Sequence, residues 1–157
     1  MEHISIHPGA DDAQVAEWLY ERLSEALAAS PGQISISIPG GSTPFPILER
    51  LREMDLDWQR ITVWPGDERM VDEDHPASNV WRIRTLLEPL GAKIVALDPA
   101  LTPPHFALVW LGMGADGHIA SLFPNTDPRP DDPQPIRSLT PDPLPPEAPF
   151  ARLTLTL

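Results

Sequence analysis

Three short stretches hold most of the side chains in this 157-residue chain that are equipped for chemistry. In LGMGADGHIASLFPNT, residues 111–126, three closely spaced glycines lead to His118. Histidine titrates near neutral pH and can take a proton from water, and Asp116, two residues earlier, is placed to orient the ring or share the site's charge. In VWPGDERMVDEDHPASNVWR, residues 63–82, Arg69 offers paired donors to a phosphate or a carboxylate-like oxygen, while Asp67 can orient it or a sugar hydroxyl. In SISIPGGSTPFPILERL, residues 35–51, Gly40 and Gly41 allow backbone N–H groups close approach to a ligand. Thr43 suits a helix N-cap there and Pro44 the first helical position. Such a turn at a helix N-terminus can hold a phosphate without lysine, although a Gly-Gly turn before a helix is often only a turn. It matches neither the P-loop nor the dinucleotide glycine pattern.

The elements that must position these residues are legible as alternating strands and helices. Residues 11–29 carry Val15, Trp18, Leu19, Leu23, Ala26 and Leu27 at helical spacing. Residues 33–38, 61–64, 93–97 and 106–111 are short apolar runs bounded by turn residues, which predicts strands. Helices are expected from Pro44 and over SNVWRIRTLLEPL, where Val80, Ile83, Leu86 and Leu87 share a face, and a short one around His118. The pattern predicts an α/β fold: a Rossmann-like, mainly parallel sheet with helices on both faces. In such a sheet the three reactive stretches, each following a strand, meet at the strands' carboxyl ends. From Pro124 to Pro149 ten of 26 residues are proline, so that stretch is expected to be a loop with little regular structure. ARLTLTL then reads as a last strand of the same sheet, and because too few helices are expected to cover both faces of that sheet, one apolar face would be under-covered, for which a homodimer is an expected remedy.

Composition limits what the site can serve. The chain is expected to form one domain over residues 1–157, with a hydrophobic content of 41% sufficient for a core. Its net charge of −12, with ten arginines and the single lysine Lys93, opposes non-specific nucleic-acid binding and makes each arginine matter individually. The absence of cysteine removes disulfides and thiolate metal sites. No apolar run reaches membrane length and no secretory pattern opens the chain, so a cytoplasmic protein is expected. The other histidines, His3, His7, His75 and His105, lack the setting of His118 and show no helical metal-ligand spacing, so no zinc site is expected. Asp72, Glu73 and Asp74 read as a solvated acidic loop.

Taken in order, PGGSTP, GDERMVDEDHPASN and LGMGADGHIASLFP resemble the 6-phosphogluconolactonase family, within the larger group that includes glucosamine-6-phosphate isomerase/deaminase. The resemblance extends from about residue 10 to RLTLTL and implies a Rossmann-like α/β sandwich. It implies hydrolysis of 6-phospho-D-glucono-1,5-lactone to 6-phosphogluconate, in the oxidative pentose phosphate pathway, without a cofactor. By this resemblance His118 is the general base and Asp116 assists it. Gly40, Gly41, Ser42 and Thr43 hold the 6-phosphate with Arg69, Asp67 lies beside them, Asn79 braces the second loop, and Arg152 is a second arginine. The family pattern usually has a helical segment where this chain has DPALTPP, and it continues past LTLTL, so a shortened form is expected. Ile119 stands where the lactonase commonly has threonine. Arg69, where the deaminase branch has tyrosine, and SLFP, where it has FNEP, favour the lactonase. The alternatives are a deaminase-like sugar-phosphate isomerase and a sugar-phosphate-binding relic without catalysis.

Overall fold

The computed structural model describes residues 4–156. Helix α1 (Asp12–Ala29) starts at a capping box in which the Asp11 carboxylate accepts from the Gln14 amide at 2.8 Å and the Gln14 side chain accepts from the Asp11 amide at 3.0 Å. Its stripe of Ala16, Leu19, Leu23 and Leu27 is buried. Strand β1 (Ile34–Ile38) leads through the glycine turn to α2 (Pro44–Leu51), and β2 (Ile61–Pro65) lies parallel to β1. The chain leaves the sheet at Gly66, whose amide donates to the Ile38 carbonyl at 2.8 Å, and forms β3 (Asp67–Arg69). Helix α3 (Asn79–Leu87) returns it to β4 (Lys93–Ile94), and β5 (Leu108–Val109) completes a parallel sheet ordered β4-β2-β1-β5. The last two strands are short, but amide bonds from Val95 to Val63 and from Ala107 and Trp110 to Ser35 and Ser37 prolong them.

The α/β class and the mainly parallel sheet are as expected, but the helices gather on one face. Ile34, Ile36, Ile38, Ile61, Val63 and Ile94 all point to that face and pack in one core with the apolar stripes of α1, α2 and α3. Successive strands β1, β2 and β4 step in one direction, so right-handed crossovers place α2 and α3 on the same side, and α1 packs on α2. The opposite face presents Ser35, Ser37, Thr62 and Lys93, with Trp64 and Val109 toward its carboxyl-terminal end.

A second sheet covers only the carboxyl-terminal end of that face. Strand β7 (Arg152–Leu155) does not join the parallel sheet as the sequence suggests. It runs antiparallel between β3 and β6 (Ile136–Leu139). Trp64 of the main sheet and Leu97, in the segment after β4, pack against Ile136 and Leu155 of this smaller one. Strand β6 lies inside the proline-rich stretch, where no strand was expected. Residues 136–140, between Pro135 and Pro141, are free of proline and can donate to a ladder. DPALTPP forms a turn, with the Asp98 carboxylate accepting from the Ala100 amide at 2.8 Å and its carbonyl from Leu101 at 2.9 Å.

Candidate active site

The glycine turn departs from the end of β1 at the centre of the parallel sheet. Gly41 has φ of 83°, in the left-handed region that glycine adopts without cost. Thr43 occupies the N-cap position with helical dihedrals, and its side chain makes no capping bond, in contrast to the cap expected of it. Its hydroxyl therefore stays available to the space in front of the turn. Helix α2 opens Pro44-Phe45-Pro46, so two of its first three residues have no N–H to offer a ligand. Donors at this corner must come from the turn's own amides and hydroxyls and from neighbouring cations.

Behind the turn lies a buried polar network. Asn79, fully buried at the start of α3, donates from Nδ2 to the Asp67 carbonyl at 2.9 Å and to its carboxylate at 3.2 Å. A Cβ added at Gly40 would stand 2.1–2.3 Å from the Asn79 side-chain amide, so only glycine allows this closeness. The other Asp67 oxygen accepts from the Ser121 hydroxyl at 2.6 Å and faces Arg152 Nη1 at 3.6 Å. Thr154 Oγ1 accepts from the Ser121 amide at 3.1 Å. Asp67, Asn79, Ser121, Arg152 and Thr154 are all buried, and they join the second and third reactive stretches to β7, with Gly40 of the first packed on Asn79. Arg152 also donates to the Ala148 and Phe150 carbonyls, so its donors are largely spent on the protein. Burial draws its guanidinium below the ordinary arginine value, opposed by Asp67 and reinforced by Arg69.

Glu68 serves the helix rather than a ligand. Its carboxylate accepts from the Asn79 and Val80 amides at 2.8 Å each and from the Ser78 hydroxyl at 2.9 Å, which places a negative charge at the N-terminus of α3. Arg69, next along, donates from Nη1 to the Ala77 carbonyl at 2.8 Å, and its buried Nε has no partner. Arg82 from α3 donates to the Gly41 carbonyl at 2.8 Å. Among the described residues neither Arg69 nor Arg82 lies within 4.0 Å of a carboxylate.

His118 projects from a loop, not from the short helix expected around it. Gly117 and Ala120 both have positive φ, at 86° and 53°, which a right-handed helix cannot contain, and isolated bridges join Met113 to Ile119 and Ile119 to Leu122. Asp116 Oδ1 lies 2.5 Å from His118 Nδ1 and accepts from the His118 amide at 3.2 Å. These bonds hold the Asp116 carboxyl below its ordinary value. With Nδ1 engaged as donor, Nε2 is left as the basic nitrogen. The ring lies against Phe123, with centroids 4.8 Å apart. A Cβ at Gly114 would meet His118 at 2.2 Å and Asp116 at 2.9 Å, so the pair occupies space that only glycine leaves open.

These parts face one cleft of about 490 Å³, a size suited to a small metabolite. Gly40, Gly41, Ser42, Thr43, Asp67, Arg69, His118 and Arg152 all line it, with Glu147 also on the wall. Asn79 lies beneath the wall and Asp116 behind the imidazole. Among the described residues no three His, Asp or Glu side chains gather as a metal-binding group, and none of the helices is long and apolar enough to cross a membrane. His7, His75 and His105 are not on the cleft, and His3 lies outside the described residues.

The model of the glucosamine-6-phosphate isomerases/6-phosphogluconolactonase family matches residues 10–102 and 91–157. The chain belongs to that family. A 6-phosphogluconolactonase of Pseudomonas putida is 40% identical over 144 residues, which are 77% of this chain and 59% of the relative. One of Pseudomonas aeruginosa is 40% identical over 156 residues, 85% of this chain and 64% of the relative. The chain thus spans about three-fifths of the length of these curated relatives. Among solved structures, a 6-phosphogluconolactonase from Shewanella baltica superposes with a TM-score of 0.77 at 29% identity, covering 92% of this chain and 70% of that one. Residues from all three reactive stretches line the cleft described above. Ser121, Thr154 and Gly114 were not singled out from sequence. The one available signal was polar alternation in RLTLTL, which puts Arg152 and Thr154 on one side of β7, and that side faces the site.

Proposed function

We propose that this chain carries the phosphate-binding end and the catalytic base of a cytoplasmic 6-phosphogluconolactonase, hydrolysing 6-phospho-D-glucono-1,5-lactone to 6-phosphogluconate. The observation that carries the reading is the pairing, in one cleft, of a glycine turn flanked by arginines without carboxylate partners and a histidine whose Nδ1 is held by a carboxylate. In a protein of net charge −12, cations left unpaired at a donor-lined turn call for an anionic ligand. The phosphate is received by Ser42, Thr43 and the turn amides, with Arg69 supplying charge. Arg152, bound to Asp67 and to carbonyls, acts as a strut for the wall.

With the phosphate anchored there, the lactone carbonyl is presented to a water in front of His118. Nε2 takes one proton from that water as its oxygen bonds to the carbonyl carbon. Collapse of the tetrahedral intermediate breaks the ring C–O bond, and the imidazolium returns the proton to the departing ring oxygen. The products are the carboxylic acid and the free hydroxyl, so atoms balance with one water consumed. Asp116 keeps the ring in the tautomer this needs and stabilises the imidazolium.

Acid release from 6-phosphogluconolactone in a pH-stat tests the reading, with spontaneous hydrolysis as the baseline. The expected result is loss of lactone faster than that baseline. Release of ammonia from glucosamine 6-phosphate would transfer the chain to the isomerase branch. Binding of the phosphorylated sugar acid with no turnover of either substrate would make it a binding relic.

A further inference from the structure

Arg82 was not singled out by sequence and does not line the cleft, yet it reaches the glycine turn at Gly41. Its guanidinium lies 3.6 Å from the centroid of the Phe45 ring and donates from Nη1 to the Gly41 carbonyl at 2.8 Å. Phe45 is a buried residue of α2, so Arg82 is held against a fixed platform. Burial, and then the nearby Arg69, draw its guanidinium below the ordinary arginine value. The Gly41–Ser42 peptide is trans, so its carbonyl and the following N–H point in opposite directions. With the carbonyl turned to Arg82, the Ser42 N–H is turned away from it, and among the described residues that N–H has no acceptor in the protein. Glycine at 41 makes this peptide easy to flip, and the prolines at 44 and 46 leave few other amides to replace it.

We propose that Arg82 is a positioning residue for phosphate recognition: seated on Phe45 and bonded to the Gly41 carbonyl, it fixes the Gly41–Ser42 peptide so that the Ser42 N–H is presented to the phosphate. The inference rests on the sugar-phosphate reading above. Arg82 acts through the turn and makes no contact with the ligand.

The experiment measures binding of 6-phosphogluconate and of gluconate by calorimetry to the full chain and to the variants Arg82→Gln and Arg82→Lys, with the Ser42 amide followed by NMR. Losing an arginine-held peptide that donates to a charged phosphate should weaken 6-phosphogluconate binding roughly tenfold in Arg82→Gln, and gluconate binding should not change. Arg82→Lys, which keeps a donor but not the guanidinium over Phe45, should fall between and provides the measurement if the glutamine variant does not fold. The loss should persist at about 1 M NaCl, where the screening length is about 3 Å. In the parent chain the Ser42 amide resonance should move on adding 6-phosphogluconate, and in the variants it should move less. A loss that vanishes in high salt would make Arg82 a distant charge and overturn the inference, as would equal weakening of gluconate or an unchanged Ser42 response. If the parent chain itself does not prefer 6-phosphogluconate to gluconate, the sugar-phosphate reading falls and this inference with it. If that preference is present and Arg82→Gln retains it in full, only the inference falls.

Discussion

The two walls of the cleft are built on opposite plans. The phosphate wall stands on Asp67, Asn79, Ser121, Arg152 and Thr154, all buried and bonded to one another. The His118 wall is a largely exposed loop in which the imidazole rests on one carboxylate, one aromatic ring and the space left by Gly114. The contrast follows from what each wall has to do. Gathering arginines in one place costs repulsion, which a fixed network must absorb before any ligand arrives. A base has to meet water, so it stays near solvent and needs only its orientation set. Substitutions in the loop should therefore change chemistry and leave stability alone, and substitutions behind the turn should do the reverse.

The largest effect expected tests the loop half of that contrast. His118→Gln should lower the turnover of lactone roughly 10²–10⁴-fold, the usual worth of a positioned general base. Its melting temperature should match the parent's, because the ring is partly exposed and bonds only within its own loop. A coincident fall in melting temperature would show that the loop is structural after all. The complementary change is Asp67→Ala, which leaves buried Arg152 without its carboxylate and the Ser121 hydroxyl without its acceptor, while Asn79 keeps its bond to the residue-67 carbonyl. Breaking one side of a buried ion pair costs about 3–5 kcal/mol. For a domain of this size that is a drop of roughly 10 °C or more in the unfolding midpoint, readable by calorimetry. A midpoint within a degree or two of the parent would show that the network is not what secures the wall.

Arg69→Ala comes next and separates binding from scaffolding within the phosphate wall. Removing a charge-assisted contact should cost about 1.5–3 kcal/mol in kcat/KM for the phosphorylated lactone. Glucono-1,5-lactone, which lacks the phosphate, should be hydrolysed equally well by parent and variant. Equal losses on both substrates would place Arg69 among the supports, through its bond to the Ala77 carbonyl, and remove it from recognition.

What could be read in advance divides along the same line. Local periodicity announces α1, β1, α2, β2 and α3, because Leu19, Leu23 and Leu27 recur at helical spacing and Ile34, Ile36 and Ile38 alternate. Gly41, Arg69 and His118 stand out because each follows an apolar run that ends at the ligand edge of a parallel sheet. The second sheet carries no such signal. Strand β3 is the polar triplet Asp67–Arg69, and its partner β7 is more than eighty residues away in the chain, so their pairing is a matter of tertiary contact. Around His118 a short helix is expected, but the left-handed backbone at Gly117 and Ala120 makes a turn instead. Gly114 and Ser121 matter for what they touch across the fold, and a single chain read residue by residue does not display that.

The smallest effect concerns how firmly the exposed wall needs to be held. Asp116 is exposed, and its carboxyl is held below its ordinary value by the bonds to His118. The sign follows from linkage: a depressed carboxyl contributes fully above its unfolded value, about 3.9, and the contribution is lost as pH falls through the lower folded value. Across neutral pH the carboxylate therefore stays ionised and His118 keeps one tautomer. Asp116→Asn removes the charge but leaves a side chain of the same shape, so turnover should fall roughly two- to tenfold, well short of the loss at His118. Nitrogen NMR of the imidazole gives the sharper reading. In the parent the proton should remain on Nδ1 whenever the ring is neutral, and in Asp116→Asn both tautomers should appear. A single tautomer in the variant, with turnover unchanged, would mean that Phe123 and the Gly114 recess suffice to orient the base. The exposed wall would then be as preorganised as the buried one.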